Sequence, residues 1–167
     1  WNKGGFCAIT PLEAGYAATR RYYPGTMVLE TRFKTSTGEA VLYDFFAMDD
    51  DPICDPRYDL IRILDGVAGE VEFGIDICPR FDYGEIVPRM REHSNGSRIY
   101  TAIGSNKGLI IHADSALDVQ EHRDLSATIK IRAGQPERLV LQFQFPELIA
   151  TTIKEDTRTP QQIDEEF

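Results

Sequence analysis

Hydrophobic and polar residues alternate with a period of two along much of this chain. The alternation runs through residues 27–34, 70–77, 125–132 and 139–145. Successive side chains of a strand point to opposite faces, so each segment predicts a β-strand with one buried and one solvated face. An amphipathic helix would instead need apolar residues three and four positions apart.

Other segments are apolar on both faces. Residues 40–48 and 58–64 have this character, which is typical of central strands that are covered on both sides. Shorter apolar runs at residues 99–103 and 109–113 predict two more strands, and a further short strand is predicted at residues 19–23.

The connections between these segments are short and have the composition of turns. Residues 36–39, 66–69 and 105–108 each contain glycine, and Asn95-Gly96 is the pair that a type I′ hairpin turn favours. Such links are too short for crossover helices, so the strands are expected to pair antiparallel. We therefore predict an all-β fold, an antiparallel two-sheet β-sandwich of supersandwich-like form with about nine strands.

The last part of the chain loses the alternation and becomes polar and acidic. A short helix is predicted within residues 147–156, and another begins within residues 161–167. We predict a β-sandwich domain over residues 1–150 and a linker to a further domain over residues 151–167. Because the chain opens on Trp1 instead of methionine, we expect it to be an excised or processed piece.

The charge of the chain limits the classes of partner that it is expected to bind. The net charge is −9 at pH 7, which disfavours nucleic acid and anionic membrane surfaces, because both attract basic patches. No stretch approaches the roughly 20 apolar residues of a membrane-spanning helix. Nucleic acid and membrane are therefore not expected partners, whereas a neutral ligand such as a sugar is compatible with this charge.

The three cysteines, Cys7, Cys54 and Cys78, are widely spaced and form no C-x-x-C motif. Buried thiols in a reducing compartment account for them, and a cytoplasmic location is expected.

No complete catalytic or metal motif is found, and no cofactor is predicted. The glycine-rich phosphate loops are absent, and the aspartates at residues 49–51 and 55 lack calcium-loop spacing. No histidine has a second one three or four residues away. His112 lies inside an apolar strand, where a structural role is expected. The alternative is an epimerase-like enzyme that would use His112 with a carboxylate.

Two aromatic clusters are the candidates for ligand or interdomain contact. They consist of Tyr22, Tyr23, Arg80, Phe81, Asp82 and Tyr83. Flat rings stack on sugars, and the polar neighbours could bind hydroxyl groups. The competing interpretation is structural: Phe81 and Tyr83 would plug one end of the sandwich, and Arg80 would pair with Asp82.

Two blocks of sequence go beyond pattern. The first contains RYYPGT at residues 21–26, VLET at residues 28–31 and Asp44-Phe45. The second contains RILDGVAGEV at residues 62–71 and PRFDYG at residues 79–84. Together they resemble the trehalase-like N-terminal domain of glycoside hydrolase family 15.

The resemblance implies a function that the individual residues do not indicate by themselves. Members of that family include trehalases and glucoamylases, which cleave α-linked glucose with inversion, using two glutamates in a following helical toroid. No catalytic residue therefore transfers to this chain. The resemblance implies a non-catalytic N-terminal domain that supports the folding and active-site shape of its own C-terminal α/α-toroid catalytic domain, with α-glucosides bound through that partner. The alternative function is a carbohydrate-binding module.

Overall fold

A computed structural model describes residues 4–48, 59–93, 98–155 and 160–165. These residues form eleven strands and two short α-helices, and every pairing between strands is antiparallel. The strands are β1 Phe6–Pro11, β2 Ala17–Tyr22, β3 Leu29–Lys34, β4 Gly38–Phe46, β5 Asp59–Cys78, β6 Arg89–His93, β7 Ile99–Gly104, β8 Lys107–Ala113, β9 Asp118–Gln120, β10 Asp124–Arg132 and β11 Glu137–Gln144. The predicted all-β sandwich is confirmed.

The long strand β5 belongs to both sheets of the sandwich. Its first half pairs with β4 and β11, and its second half pairs with β1 and β10. The larger sheet has the order β2-β3-β4-β5-β11-β8-β7-β6, and the smaller sheet has the order β1-β5-β10-β9. A single strand therefore turns the corner between the two layers.

Residues 66–69, which were predicted to form a hairpin turn, lie inside β5, so that prediction is wrong. The register between β4 and β5 shifts between Glu39 and Ala40, which leaves an extra residue in β5 and bends it. Gly66 lies against the backbone of Arg132, and Gly69 has φ of 66°. Glycines permit both features, so the strand bends without losing its partners.

The other predicted connections fare differently. The β3–β4 and β7–β8 hairpins occur where the glycine-containing turns predicted them. The Asn95-Gly96 turn lies outside the described residues, between β6 and β7, which do pair. Strands β1, β6 and β9 were not among those predicted. β9 has only three residues, and β6 carries one fully buried side chain, that of Met90, so neither shows clear alternation.

The main core lies between the two sheets. Phe73 and Tyr100 are fully buried there, and the ring of Phe33 meets that of Phe73 edge to face at 5.5 Å. The Tyr100 hydroxyl accepts a hydrogen bond of 2.7 Å from the backbone N–H of Leu117. The one polar atom of this aromatic side chain is therefore satisfied inside the core.

The helices cover the outer face of the larger sheet. α1 Ile149–Glu155 places Ile149, which is buried, against Ile99 and Ile110. α2 Pro160–Glu165 places Ile163 on a cluster that includes Val140. The predicted helical tail thus forms a partial third layer, while the linker role of residues 151–167 stays a prediction. In the described part of the chain, no helix has the length and apolar character that crossing a membrane requires.

Candidate functional site

The loop between β5 and β6 holds one of the two predicted clusters in a tightly fixed turn. Asp82, Tyr83 and Gly84 follow one another with φ of 48°, 57° and 93°. The Phe81 N–H donates to the Ile86 carbonyl at 2.9 Å, and the Gly84 N–H donates to the Phe81 carbonyl at 3.0 Å. Left-handed conformations are costly for side chains other than glycine, so these bonds hold a strained loop in place.

Arg80 anchors the loop to the smaller sheet. Its guanidinium donates to the Asp124 carboxylate at 2.7 and 3.4 Å and to the Pro79 carbonyl at 2.7 Å. Partial burial opposes ionisation of Asp124, yet hydrogen bonds from Arg80 and Cys78 outweigh it and lower the pKa of that carboxyl. The ion pair with Asp124 in turn raises the pKa of Arg80.

The predicted pairing of Arg80 with Asp82 is wrong. Because β10 pairs with β5 in a register that sets Leu125 opposite Ile77, Asp124 arrives beside Arg80. Asp82 is the first residue of the left-handed turn and forms an ion pair with Lys107 at the start of β8. Arg80 and Asp82 therefore pair with residues of different sheets, Arg80 with the smaller sheet and Asp82 with the larger one.

The two aromatic residues of the loop have opposite environments. Phe81 is half-buried against Gly104, where an added Cβ would approach the Phe81 ring to 3.0 Å. Tyr83 is 104% exposed relative to an isolated residue. The structural interpretation is therefore correct for Phe81, which packs on the end of the sandwich, and wrong for Tyr83.

The second cluster lies at the end of β2 and in the turn that follows. Tyr22 is 61% exposed and Tyr23 is 42% exposed. The Tyr23 N–H donates to the Val28 carbonyl at 2.8 Å, and the Thr26 hydroxyl donates to the Tyr23 carbonyl at 3.0 Å. The turn is thus closed by its own hydrogen bonds, and both rings stay accessible to a partner.

The structure puts both clusters at the same end of the larger sheet but not together. β2, with Tyr22, is one edge strand, and the Phe81 loop packs on Gly104 of β7 at the far side. Counted along the sheet, six strand spacings of about 4.8 Å separate β2 from β7, a path of roughly 25–30 Å. The two clusters therefore lie at opposite sides of the larger sheet.

A network that sequence reasoning missed lies between the clusters. Arg62 donates to Asp44 at 2.6 Å, to the Cys7 carbonyl at 2.7 Å and to the Cys7 sulfur at 3.2 Å. Burial raises the pKa of the Cys7 thiol more than the nearby Arg62 lowers it, so this thiol is not activated. Asp44 and Arg62 were noted only as motif residues, and nothing in the sequence indicated their contact across two strands.

The thiols Cys7 and Cys78 are free, although their strands are neighbours. Cys7 lies opposite Ile77, and Cys78 lies opposite Phe6. Residues opposite each other share a face of the sheet, so the two thiols point to opposite faces. Cys54 lies outside the described residues.

The chemistry available at these clusters is recognition. Asp82 and Asp124 are each engaged by a cation, and no three metal-ligating side chains come together among the residues that the structure describes. An open groove of about 270 Å³ between Phe6 and Asp124, and another of about 370 Å³ beside Leu12, are lined by residues other than the exposed tyrosines.

The family described as "Trehalase-like, N-terminal" matches residues 2–164 of this chain. The chain belongs to the trehalase-like N-terminal domain family. The match ends inside α2, so it includes both helices that pack on the larger sheet of the trehalase-like domain. A trehalase of Mycolicibacterium smegmatis is 29% identical to it, over 49% of this chain and 14% of that protein. The chain therefore corresponds to a small part of this relative's length.

Proposed function

We propose that this chain is the non-catalytic N-terminal domain of a glycoside hydrolase family 15 type α-glucosidase, either trehalase-like or glucoamylase-like. Its role would be to support the folding of an α/α-toroid catalytic domain in the same polypeptide and to shape that domain's active site. The family match over residues 2–164 is the observation that carries this proposal. The similarity to a trehalase of which the chain covers 14% supports a larger parent protein.

The geometry of the candidate site also favours a supporting role. Glycoside hydrolysis needs two carboxyl groups on either side of one scissile bond. In the loop cluster, Asp82 is paired with Lys107, and Asp124 is paired with Arg80. These ion pairs connect the loop to two sheets, and the ring of Tyr83 is its most exposed large hydrophobic side chain.

Deletion within the full product of the gene tests this role. The full polypeptide and a version without residues 1–167 would be compared for solubility, for melting temperature and for hydrolysis of trehalose and maltose. We expect the deletion to lower hydrolysis by at least about tenfold, which corresponds to roughly 1.4 kcal/mol of lost transition-state stabilisation. A shortened protein with unchanged stability and unchanged rates would contradict the proposal.

The exposed tyrosines support a second candidate function, a carbohydrate-binding module. Tyr22, Tyr23 and Tyr83 offer accessible rings, and aromatic faces are common platforms for sugars. Calorimetric titration of the chain with trehalose, maltose and starch separates the two functions. Heat of binding that disappears in a Tyr83→Ala variant would favour the module, and flat titrations would favour the supporting domain.

A cytoplasmic location is part of the proposal. Burial raises the pKa of the Cys7 thiol, and the pKa of the Cys78 thiol is also raised, by burial and by its hydrogen bond to Asp124. Unpaired thiols of this kind persist in reducing compartments. Fractionation of cells that express the full gene product checks this location.

A further inference from the structure

Large exposed hydrophobic side chains are distributed unequally between the two ends of the sandwich. In the described part of the chain, Leu12 and Val67 lie near the corner end, where β5 bends. The others lie at the opposite end, which we call the aromatic end. They include Phe6, Tyr22, Met27, Phe46, Tyr83 and Phe145.

The register of the strands assigns these residues to one end. Tyr22 lies opposite Leu29, which lies opposite Asp44, and Phe46 lies opposite Leu60 near the start of β5. At the other side of the sheet, Gln144 at the end of β11 lies opposite Gly108 at the start of β8. Tyr22, Phe46 and Phe145 therefore follow one line across the ends of the strands, and Lys107 links that line to the Tyr83 loop.

Tyr83 is the most exposed of these side chains, and its setting is unusual. The residue has φ of 57°, a conformation that costs free energy for any residue with a Cβ, and its ring lies wholly in solvent. Packing of the ring within this domain therefore does not offset the cost of the left-handed backbone. The ion pair of Arg80 with Asp124 and the backbone hydrogen bonds of Phe81 and Gly84 hold the loop, so a partner can bind it without first ordering it.

The extent of the aromatic end indicates the kind of partner. Followed along the larger sheet from β2 to β7, it extends over six strand spacings, roughly 25–30 Å, which is more than a small glucoside can cover. Contacts between domains of one chain commonly bury about 600–1,500 Å², and aromatic residues and methionine are enriched in interface cores. The trehalase relative is about seven times as long as the segment that this chain matches, which leaves a large domain to fill such a surface.

We propose that the aromatic end is the surface on which the helical catalytic domain of the same polypeptide docks, with Tyr83 as its anchor. This inference rests on the proposed function, because that function supplies the partner. It adds the location of the interface and the residue that contributes most to it. Tyrosine is enriched among the few residues that contribute most of the binding energy of an interface.

Site-specific photocrosslinking in the full gene product tests the inference. A benzophenone amino acid would replace Tyr83 in one variant, Met27 in a second and Leu12 in a control at the corner end. Met27 is 84% exposed and Leu12 is 53% exposed, so both accept a large ring without disturbing the core. After irradiation, protease digestion and mass spectrometry would identify the peptides joined to each position.

We expect the probes at positions 83 and 27 to crosslink to peptides that lie after residue 167 of the same polypeptide, and the probe at position 12 to give none. Three results would overturn the inference. The first is that neither position 83 nor position 27 forms a crosslink. The second is that position 12 forms crosslinks to the later peptides as efficiently as those two positions do. The third is that the crosslinks join two copies of residues 1–167.

The deletion experiment keeps this test separate from the proposed function. If removal of residues 1–167 impairs the enzyme but positions 83 and 27 remain without crosslinks, the domain has a supporting role and docks elsewhere. If removal has no effect on stability or hydrolysis, the proposed function itself fails, whatever the crosslinks show.

Discussion

Tyr83 combines a left-handed backbone with a fully exposed ring. Its substitution therefore tests whether the ring contributes to the stability of the fold or only to binding of a partner. Asparagine adopts this conformation more readily than tyrosine does. We expect Tyr83→Asn to raise the free energy of unfolding of the chain by roughly 0.5–1 kcal/mol. Urea unfolding, followed by circular dichroism, measures this change.

The matched control for this variant is Tyr22→Asn. Tyr22 is also exposed, but it lies in β2, where tyrosine is favoured over asparagine. This substitution should leave the stability unchanged or lower it. A Tyr83→Asn variant that is less stable than the parent chain would show that the ring contributes to folding.

The ion pair between Arg80 and Asp124 predicts a pH-dependent contribution to stability. The pKa of Asp124 is lowered on folding, so the carboxylate stabilises the fold fully above its ordinary pKa of about 3.9. That contribution is lost as the pH falls through the lowered pKa. We expect Asp124→Asn to cost about 1–2 kcal/mol at pH 7 and progressively less below pH of about 3.9. Urea unfolding from pH 7 down to pH 2.5 tests this, and a difference that is constant with pH would contradict it.

At the residue scale, the sequence identified candidate side chains better than their partners. It singled out Arg80, Phe81, Asp82 and Tyr83 because charged and aromatic residues are concentrated there. It could not predict that Arg80 pairs with Asp124, since that contact depends on the register between β5 and β10. Arg80 and Asp82 are two positions apart in sequence, but the left-handed turn that begins at Asp82 directs their side chains to different partners.

At the scale of elements, the bend in β5 depends on Gly66. A Cβ at this position would overlap the backbone of Arg132, which cannot move without disturbing β10. We expect Gly66→Ala to lower the free energy of unfolding by about 2–4 kcal/mol. Chemical unfolding measures the loss. Gly4→Ala is the control, because no atom lies within 4 Å of its added Cβ, and equal effects of the two changes would contradict the account of the bend.

The packing of α1 on the outer face of the larger sheet gives a second element-scale prediction. Ile149 is 4% exposed and contacts Ile99 and Ile110. We expect Ile149→Ala to destabilise the chain by about 2–3 kcal/mol, the usual cost of a cavity of this size. Thr151, on the exposed side of α1, provides the control substitution Thr151→Ala. Thermal unfolding compares the two, and a loss below about 0.5 kcal/mol at Ile149 would mean that α1 does not pack there.

The alternation of apolar and polar residues was sufficient to predict most of the strands. It failed at β5, where Gly66 and Gly69 suggested a turn between two strands. In the structure, both glycines lie at a bend within one continuous strand. The helices α1 and α2 were predicted from the loss of alternation. Their contact with the sheet was not, because Ile149, Ile153 and Ile163 are too few to form a recognisable amphipathic pattern.

For the whole molecule, the two ends of the sandwich have different characters. The corner end closes through the bent strand β5, whereas the aromatic end presents exposed rings and a rigid loop. Isolated exposed hydrophobic residues are common on protein surfaces, and their concentration at one end is what supports the proposed contact surface. No sequence pattern predicts this asymmetry, because it depends on how the pairing of eight strands aligns their ends.

Hydrogen–deuterium exchange tests the central claim, that the trehalase-like domain supports a partner domain through its aromatic end. Exchange would be compared between the isolated chain of residues 1–167 and the same residues within the full gene product. We predict slower exchange in the full product at residues 80–87 and 22–28, with no change at residues 66–70 and 12–16. Protection confined to the corner end, or identical exchange in the two proteins, would contradict the account.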